Sequence, residues 1–419
     1  MSGIAQTVSC LDGYDPDALR VDKACEAIRS CLRPVTETEI LKIRDALGRV
    51  LAQDIVPSIN VPAHDNSAMD GYAVRFSDMQ AGEIPLVEIG SALAGRPFHG
   101  KMTAGQCVRV MTGAVMPEGA DTVVVQEIVK QDGHRVVIPA GQKRGQNVRY
   151  AGEDLKIGVP VLAPGKLLQP VELGLVASLG LSEVRVKRKL RVAFFSTGDE
   201  LACVGVPLKE GEVYDSNRYT LHGMLARLGV EFIDLGVVRD DPAQLEAAFR
   251  NAAASADAII TTGGVSVGEA DFVKPLMARL GEVLFWKIAM RPGRPMAFGR
   301  IDNSYLFGLP GNPVAVMVTF YQFVRDALLQ LSGRTDSYAV PALQAIAGEN
   351  LRKVPGRTEY QRGILYRVGG EWKVRTTGQQ GSGVLRSMSE ANCFIVLEHE
   401  RGKVAAGEPV SVQLFEALA

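Results

Sequence analysis

Three apolar segments decide the fold of this chain: RVAFFSTGDEL at residues 191–201, EFIDLGVV at 231–238 and DAIITT at 257–262. Near-continuous apolar runs of this length are typical of strands that a parallel sheet buries on both faces. An amphipathic helix is predicted after each of the first two, with these residues on the buried faces: Leu221, Met224, Leu225 and Leu228 in one, and Leu245, Ala248, Phe249 and Ala252 in the other. With the further strand VLFWKI, the pattern predicts a three-layer α/β domain with a parallel-rich sheet at residues 181–337.

The regions on either side of this segment have different patterns. Apolar residues from Leu19 to Leu51, such as Ile40, Ile43 and Leu47, recur at helical spacing and predict an N-terminal helical region. Short alternating runs such as TVVVQEIV and HRVVIPA predict a β-rich domain, PVELGLVASLGL predicts a helix, and QRGILYRV, WKVRTT and CFIVLE predict a small β barrel or sandwich. The corresponding ranges are 1–57 (helical), 58–157 (β-rich), 158–180 (helical return) and 338–419 (barrel).

Composition limits the classes of function. A formal net charge of -1 over 419 residues gives no overall field that favours nucleic acid or an anionic membrane. The N-terminus lacks a basic region followed by an apolar stretch, and no segment approaches the roughly 20 apolar residues that span a bilayer, so we expect a cytoplasmic protein. The six scattered cysteines are expected to be reduced, and the five histidines show no zinc-binding spacing. Any bound metal should therefore have oxygen ligands.

Three glycine- or proline-rich loops follow predicted strands and should emerge at one edge of the sheet. The first, STGDE, contains Ser196, Thr197, Gly198 and Glu200. The second, TTGGVSVGEADF, contains Gly263, Gly264, Ser266 and Asp271, and leads into a helix whose N-terminus would favour an anion. The third, GLPGNPV, is stiffened by Pro310 and Pro313. The TTGG loop is a candidate phosphate cradle, although Glu269 stands where a P-loop has lysine, and a simple tight connection is an equal alternative.

Charged residues beside these loops indicate further chemistry. Glu200, Asp240 and Asp271 could hold Mg²⁺ against phosphate oxygens, although each alone is more simply a solvated surface acid. Asp241 before Pro242, and the Asp215-Ser216-Asn217 segment, are interpreted as helix caps.

A stiff Pro-Gly turn in WKIAMRPGRPMAFG is surrounded by cations. Lys287, Arg291 and Arg294 suit a tetrahedral oxyanion, with a solvated basic loop as the alternative. In the β-rich region, Asp70 before Gly71 is either a turn residue or a working carboxylate.

Eight segments taken together resemble the signature of the molybdopterin molybdenumtransferase (MoeA) family, which the gephyrin E domain shares. They are DNSAMDGYAV, RVMTGAVMPEGAD, AGEDL, FFSTGDEL, DSNR, TTGGVSVGEADF, the basic Pro-Gly loop and GLPGNPV, in the family's order from about Leu19 to Phe415. The resemblance implies a hinge domain built from residues 1–57, whose start packs on the α/β domain, and 158–180. It also implies a β-rich second domain, a molybdopterin-binding α/β domain and a C-terminal β barrel.

The resemblance also implies an activity. Family members are homodimers that transfer molybdate onto adenylylated molybdopterin (molybdopterin-AMP) and release AMP, with Mg²⁺ as cofactor. By motif position, the functional acids are Asp70, Asp154, Glu200, Asp240 and Asp271, with Thr112 beside them, and Pro310 and Pro313 match the family's loop. Glu200, Asp240 and Asp271 are the expected metal ligands. The family's Lys-Pro-Gly-Lys-Pro reads Arg291-Pro-Gly-Arg294-Pro here, which preserves charge and favours plain oxyanion binding over lysine chemistry.

Two alternatives remain at this stage. The α/β domain resembles the separate adenylyltransferase that precedes this step, and the gephyrin E domain also serves as a scaffold. The additional β domains and the cationic loop favour the molybdate-inserting enzyme. Expected partners are molybdopterin-AMP, molybdate, a second copy of the chain, and transient contacts with the adenylyltransferase and with molybdoenzyme chaperones, but no nucleic acid or membrane.

Overall fold

The structure is a computed structural model and describes residues 3–9, 15, 17–79, 82–263, 273–336 and 339–418. The helices are α1 Ile4–Ser9, α2 Val21–Cys31, α3 Pro170–Ser178, α4 Ser216–Arg227, α5 Pro242–Ser255, α6 Val273–Leu280, α7 Pro313–Thr319, α8 Arg325–Leu331 and α9 Arg386–Glu390. The first nine strands are β1 Thr38–Lys42, β2 Asn66–Ser67, β3 Gly71–Val74, β4 Ile84–Ala92, β5 Gln106–Val110, β6 Thr122–Val125, β7 Lys130–Asp132, β8 Arg135–Ile138 and β9 Val148–Arg149.

The remaining strands form the second half of the molecule. They are β10 Glu183–Lys187, β11 Arg191–Thr197, β12 Leu201–Ala202, β13 Val213–Tyr214, β14 Glu231–Val238, β15 Ala258–Thr262, β16 Gly281–Lys287, β17 Met290–Arg291, β18 Pro295–Ile301, β19 Ser304–Leu309, β20 Leu343–Ala347, β21 Thr358–Val368, β22 Glu371–Thr376, β23 Cys393–Leu397 and β24 Pro409–Leu414.

A six-stranded sheet in the order β14-β11-β15-β19-β18-β16 forms the centre of the α/β region. The first four strands are mutually parallel, as predicted. In contrast, β18 pairs antiparallel with both β19 and β16, so the segment VLFWKI does not extend the parallel part. A two-residue turn at Asp302-Asn303 joins β18 to β19, and Asp302 has a φ of 50°, a conformation that Asp and Asn tolerate better than most residues. The fold class is confirmed, with a hairpin at one side of the sheet.

Helices cover both faces of this sheet. On one face, Phe195 meets Phe249 of α5 with ring centroids 5.0 Å apart. On the other, Phe194 shares a core with Leu221 and Leu225 of α4. Burying a phenylalanine stabilises the fold by roughly 1.5–3 kcal/mol, so this pattern of neighbouring residues facing opposite ways fixes both layers. The predicted buried faces of the two helices are confirmed.

The N-terminal region is helical only at its start. Helix α2 joins the core of the α/β region through Ala24 and Ile28. The prediction of helix beyond it is wrong, because Thr38–Lys42 forms β1 and pairs antiparallel with β10. Pro34 disfavours helical geometry in the preceding residue, and Ile40 is 55% exposed, so the helical spacing does not mark a buried face. Two separated chain segments instead pack together here, with Leu51, Leu168 and Val184 in one small core.

Two further sheets complete the fold. The β-rich region contains a six-stranded sheet in the order β6-β3-β5-β4-β8-β7. In the C-terminal region, β21-β22-β20-β24-β23 closes on itself because β21 also pairs with β23, which makes a five-stranded barrel. Strand β17 joins this barrel by pairing parallel with β21. The cationic Pro-Gly loop therefore begins in a strand of the barrel sheet.

One helical segment, Pro313–Leu331, is long and apolar enough to cross a membrane by length and composition. Arg325 and Asp326 interrupt the segment, so it is not the run of roughly 20 apolar residues that the sequence analysis looked for. The segment comprises α7, a π-helical stretch Phe320–Val324 and α8, and 72% of its most apolar window is buried inside the protein. Its hydropathy is that of a core helix.

A candidate active site at the carboxyl edge of the sheet

Four parallel strands end side by side at one edge of the α/β sheet. Strand β11 ends at Thr197, β15 at Thr262 and β19 at Leu309, while β14 leads into Asp240. Ligands of such sheets bind beyond the carboxyl ends of the strands. The structure thus brings together these predicted site residues: Ser196, Thr197, Gly198, Asp240, Gly263, Pro310 and Pro313, the last at the start of α7.

Hydroxyl groups connect the ends of adjacent strands. The Thr262 hydroxyl donates to Ser196 Oγ at 3.2 Å, and both residues are buried. The Thr197 hydroxyl donates to Asp240 Oδ1. The Gly263 N–H donates to the Leu309 carbonyl at 3.3 Å. These bonds hold the ends of β11, β15 and β19 and the residue Asp240 after β14 in a fixed relation.

Glycine is required at two positions of this edge. Gly263 has a φ of +89°, and a Cβ built there would lie 2.3 Å from the carbonyl oxygen of Thr197. Gly198 has a φ of +153°, and a Cβ there would lie 2.6 Å from Glu200 Oε2. Both conformations are strained for other residues, and a Cβ at Gly263 would also collide with the backbone at the end of β11. The close approach of Gly263 to the end of β11 therefore depends on glycine at this position.

The DSNR segment contributes more than a helix cap. Asp215 caps α4 as predicted, with Oδ1 accepting from the Arg218 N–H at 3.2 Å. Asn217, which sequence analysis interpreted as part of the cap, is 8% exposed and donates from Nδ2 to the Gly311 carbonyl at 2.7 Å. It thereby joins α4 to the GLPGNPV loop. The sequence feature that points to this contact is a polar amide in the first turn of a helix that packs on the core.

Three buried polar atoms at this edge form no hydrogen bond among the described residues: Asp215 Oδ2, Asn217 Oδ1 and Thr261 Oγ1. A buried polar group without a partner costs about 1–3 kcal/mol. Such groups persist in a native structure where they serve a role beyond stability. Their concentration beside the glycine loops indicates that this edge has unused capacity to bind a polar ligand.

Two of the three predicted metal ligands flank the Thr197-Gly198 dipeptide. Asp240 accepts from the Thr197 hydroxyl, and Glu200 lies against Gly198. Within the described ranges, no group of three or more His, Cys, Asp or Glu residues could hold a metal ion. Asp271, the third predicted ligand, lies outside the described residues, as do Gly264 and Ser266. Hard carboxylate oxygens on both sides of one glycine turn fit a hard divalent cation such as Mg²⁺.

Asp70 and Thr112 form a separate pair in the β-rich region. Asp70 Oδ1 accepts from the Thr112 backbone N–H at 2.7 Å and from its hydroxyl at 2.8 Å. These two bonds hold the pKa of the Asp70 carboxyl below its usual value. Asp154 is exposed on a neighbouring turn. Among the residues that the structure describes, no hydrogen bond or ion pair joins any of the three to the carboxyl edge of the α/β sheet.

The three predicted cations of the Pro-Gly loop face different carboxylates. Lys287 Nζ lies 2.6 Å from Asp17 Oδ1, and this hydrogen bond, with added charge from Arg294, lowers the pKa of Asp17. Arg291 Nη1 lies 4.0 Å from Glu359 Oε1, and its side chain is 64% exposed. The loop therefore divides into one side with Lys287 and Arg294 and another with Arg291.

A cavity of about 550 Å³ opens between the Arg291 side of the loop and the barrel. Its wall includes Arg362 of β21, which is 1% exposed and donates to Ser387 Oγ and to the Gly381 carbonyl, each at 3.0 Å. Burial, with a contribution from the charge of Arg291, lowers the pKa of the Arg362 guanidinium to about 10. No carboxylate pairs with it among the described residues. Sequence analysis missed Arg362, whose only signal was an arginine inside the apolar run QRGILYRV.

Three family descriptions match consecutive parts of the chain. The MoeA N-terminal region (domain I and II) matches residues 19–180, the probable molybdopterin binding domain matches 193–330, and the MoeA C-terminal region (domain IV) matches 344–415. The chain belongs to the MoeA family. The resemblance inferred from eight short segments is thus confirmed over nearly the whole chain.

Similar proteins of this family are molybdopterin molybdenumtransferases. That of Haemophilus influenzae is 47% identical over 96% of this chain and 99% of its own length, and that of Bacillus subtilis is 33% identical over 90% of each. A molybdopterin biosynthesis MoeA protein from Pyrococcus horikoshii OT3 has a similar crystal structure, with a TM-score of 0.82 and 29% identity over 95% of this chain and all of that one. The chain is accordingly a transferase of molybdenum cofactor biosynthesis. The residue ranges assigned to its five parts stay a prediction.

Proposed function

We propose that this MoeA-family transferase inserts molybdate into molybdopterin-AMP and releases AMP. The observation that carries the proposal is the carboxyl edge, where glycine turns and buried hydroxyls surround polar atoms that form no hydrogen bond within the described part of the chain. Glycines that admit close backbone approach, followed by helix starts, suit the phosphate groups of an adenylylated pterin. The hydroxyls of Ser196, Thr197 and Thr262 would hold that substrate in place by hydrogen bonds.

Glu200 and Asp240 are the described residues that would hold Mg²⁺, with Asp271 as the third predicted ligand. The bound ion would supply charge neutralisation while the phosphoanhydride breaks. The chain's own contribution is positional, because the Thr197 hydroxyl fixes the Asp240 carboxylate and Gly198 brings Glu200 close to the same turn. Two carboxylates beside bound phosphates would otherwise repel them.

The cavity between Arg291 and the barrel is the proposed molybdate site. Molybdate is a tetrahedral dianion, and guanidinium groups bind such oxyanions by parallel hydrogen bonds. Arg362 supplies a buried positive charge with neutral partners, and Arg291 lies at the mouth with only a 4.0 Å contact to Glu359. This refines the prediction from Lys287, Arg291 and Arg294 to Arg291 and Arg362, with Lys287 and Arg294 facing Asp17.

We further propose a homodimer in which a second copy completes the site. Asp70 and Thr112 match the family's functional motifs but lie in the β-rich region, and among the residues that the structure describes no hydrogen bond or ion pair joins them to the carboxyl edge of their own chain. A complementation experiment tests this arrangement. Inactive Asp70→Ala and Asp240→Ala proteins, mixed under conditions that exchange subunits, should regain activity through hybrid dimers. Hybrid dimers that form and stay inactive would contradict a shared site.

Purified protein, molybdopterin-AMP and molybdate test the reaction itself. AMP release should depend on molybdate and Mg²⁺. Arg291→Ala should raise the molybdate concentration for half-maximal rate about tenfold while adduct binding changes little, because only the oxyanion loses a partner. Arg367→Ala on the exposed end of β21 is the matched control. An equal loss of affinity for molybdate and for molybdopterin-AMP would instead indicate that the loop has a structural role.

The alternatives give different results in the same assay. An adenylyltransferase would form molybdopterin-AMP from ATP and molybdopterin without molybdate, and a scaffold would do neither. Cytoplasmic location and contacts with the adenylyltransferase or molybdoenzyme chaperones stay predictions.

A further inference from the structure

We propose that a second anion-binding pocket lies at the opposite, amino edge of the α/β sheet and takes a phosphate group. The cavity has a volume of about 210 Å³. The cavity is lined by the turn at Gly48–Val50, the end of β10 and the segment before β11. The C-terminal end of α4 and residues of α8 complete the lining. It therefore lies between the N-terminal β1–β10 unit and the α/β region, away from the carboxyl edge. The inference does not depend on the proposed reaction.

Among the residues that the structure describes, seven lysines and arginines line this pocket and no carboxylate does. Four of the seven are largely buried arginines whose charge is already matched. Arg49 pairs with Glu39, Arg188 with Asp257, Arg325 with Asp326 and Arg334 with Asp336. None of these four carboxylates is among the described residues that line the cavity, so the lining itself remains cationic.

The other three cations are Lys187, Lys189 and Arg227. In the part of the chain that the structure describes, their side chains form no hydrogen bond and no ion pair. Three like charges around a small cavity repel one another, and an anion between them converts that repulsion into attraction. The ammonium groups of the two lysines and the guanidinium group of Arg227 would at the same time gain hydrogen-bond acceptors. The pocket is therefore electrostatically incomplete as it stands.

A structural role accounts for only one of these three cations. Arg227 lies in the last turn of α4, where a positive charge also stabilises the helix dipole. Lys187 and Lys189 lie at the end of β10 and just after it, so they have no such role. Lys187 and Lys189, on either side of Arg188, have no carboxylate partner among the described residues, and a bound anion would supply one.

The size of the cavity selects the ligand class. One water molecule needs roughly 10–15 Å³ of such a cavity, so a volume of about 210 Å³ has room for a phosphate group with several waters. An acidic peptide would need an open groove. Two sources share this chemistry: free inorganic phosphate, and the phosphate of a nucleotide such as AMP.

Titration calorimetry with inorganic phosphate and with AMP tests the proposal. The double variant Lys189→Gln/Arg227→Gln should lower phosphate affinity at least tenfold, and Arg96→Gln/Arg135→Gln, which removes two exposed cations from the β-rich region, should not. Tighter binding of AMP than phosphate, lost in the same variant, would identify the nucleotide as the source. Equal phosphate affinity in the wild type and both double variants would overturn the proposal.

A selenate soak separates this pocket from the carboxyl edge. Crystals of the full chain in selenate should show an anomalous peak within hydrogen-bond distance of Lys187 or Arg227, and crystals of the double variant should not. Because the soak locates the anion directly, its result does not depend on whether the enzyme turns over molybdopterin-AMP. Anomalous density confined to the carboxyl edge or the Arg362 cavity would exclude the second pocket.

Discussion

The two edges of the α/β sheet differ in the side chains that form them and in how completely their polar groups are paired. At the carboxyl edge, short side chains and glycines surround buried polar atoms that have no hydrogen-bond partner among the described residues, as at Asn217 Oδ1 and Thr261 Oγ1. At the amino edge, long charged side chains meet in pairs, and Asp257 accepts two 2.7 Å bonds from Arg188 and one of 2.8 Å from the Arg191 N–H. The described part of the first edge has buried polar atoms free to bond to a ligand, whereas most charged groups of the second edge are already paired with one another. Substitutions at the first should therefore cost activity, and those at the second should cost stability.

The largest expected effect is that of Gly263→Ala at the carboxyl edge. The positive φ costs about 1–3 kcal/mol for a residue with a Cβ, and that Cβ would press on the Thr197 carbonyl. AMP release, assayed below the unfolding temperature, should fall about 100-fold or more. Gly311→Ala is the control, since a Cβ there meets no atom within 4 Å. Full activity in Gly263→Ala would show that the close approach of the two loops is not needed.

Asp257→Asn tests the amino edge. Burial alone would raise the pKa of Asp257, but the Arg188 and Arg191 bonds outweigh it and hold the pKa below its usual value. A lowered folded-state pKa stabilises the fold above the unfolded value of about 3.9 and loses that contribution as pH falls through the folded value. The variant should lose about 2 kcal/mol of unfolding free energy at pH 7, with unchanged AMP release per folded molecule. Denaturant unfolding between pH 7 and pH 3 should show the gap closing below pH 4.

Thr197→Val should have a smaller effect, on turnover alone. The substitution keeps the shape but removes the hydroxyl that positions Asp240. We expect a turnover about tenfold lower, equivalent to about 1.4 kcal/mol, with little change in melting temperature. Thr197→Ser should restore most of the rate. A loss that serine does not rescue would indicate a packing role for the methyl group instead.

The smallest effect should come from Asp241→Asn. Asp241 caps α5 by accepting from the Gln244 N–H at 2.9 Å, and asparagine caps helices equally well. Its unfolding free energy should change by less than about 0.5 kcal/mol and its activity not at all. Asp240→Asn, one residue away, should instead lose Mg²⁺-dependent activity. A reversal of these two results would exchange the roles assigned to the neighbouring acids.

Local sequence patterns correctly predicted several strands, helix faces and helix caps. The apolar runs at β11, β14 and β15 and the helix faces of α4 and α5 follow directly from side-chain periodicity, and the caps at Asp215 and Asp241 follow from hydrogen-bonding capacity. The parallel order of the strands then places Thr197 and Gly263 at one edge. This part of the candidate site is a consequence of the fold class.

The sequence-based predictions are wrong or incomplete where contacts between distant parts of the chain decide the structure. Thr38–Lys42 has helical spacing, yet β10, about 145 residues later in the chain, draws it into a strand. Arg362 lies inside an apolar strand. Its charge lines a cavity only because the barrel packs against the Pro-Gly loop. The different partners of Lys287 and Arg291, Asp17 and Glu359, likewise depend on tertiary packing. No local pattern carries that information.

The pairing of β17 with β21 limits how the gene could be recombined. Met290 and Arg291 belong to the chain of the α/β region but complete the sheet of the barrel, so the two regions share one strand. A chimera joined in the connecting segment after α8 would keep every residue of the barrel and still remove a neighbour that β21 needs. Crossovers between relatives should therefore be accepted more readily when residues 288–294 and the barrel come from the same parent.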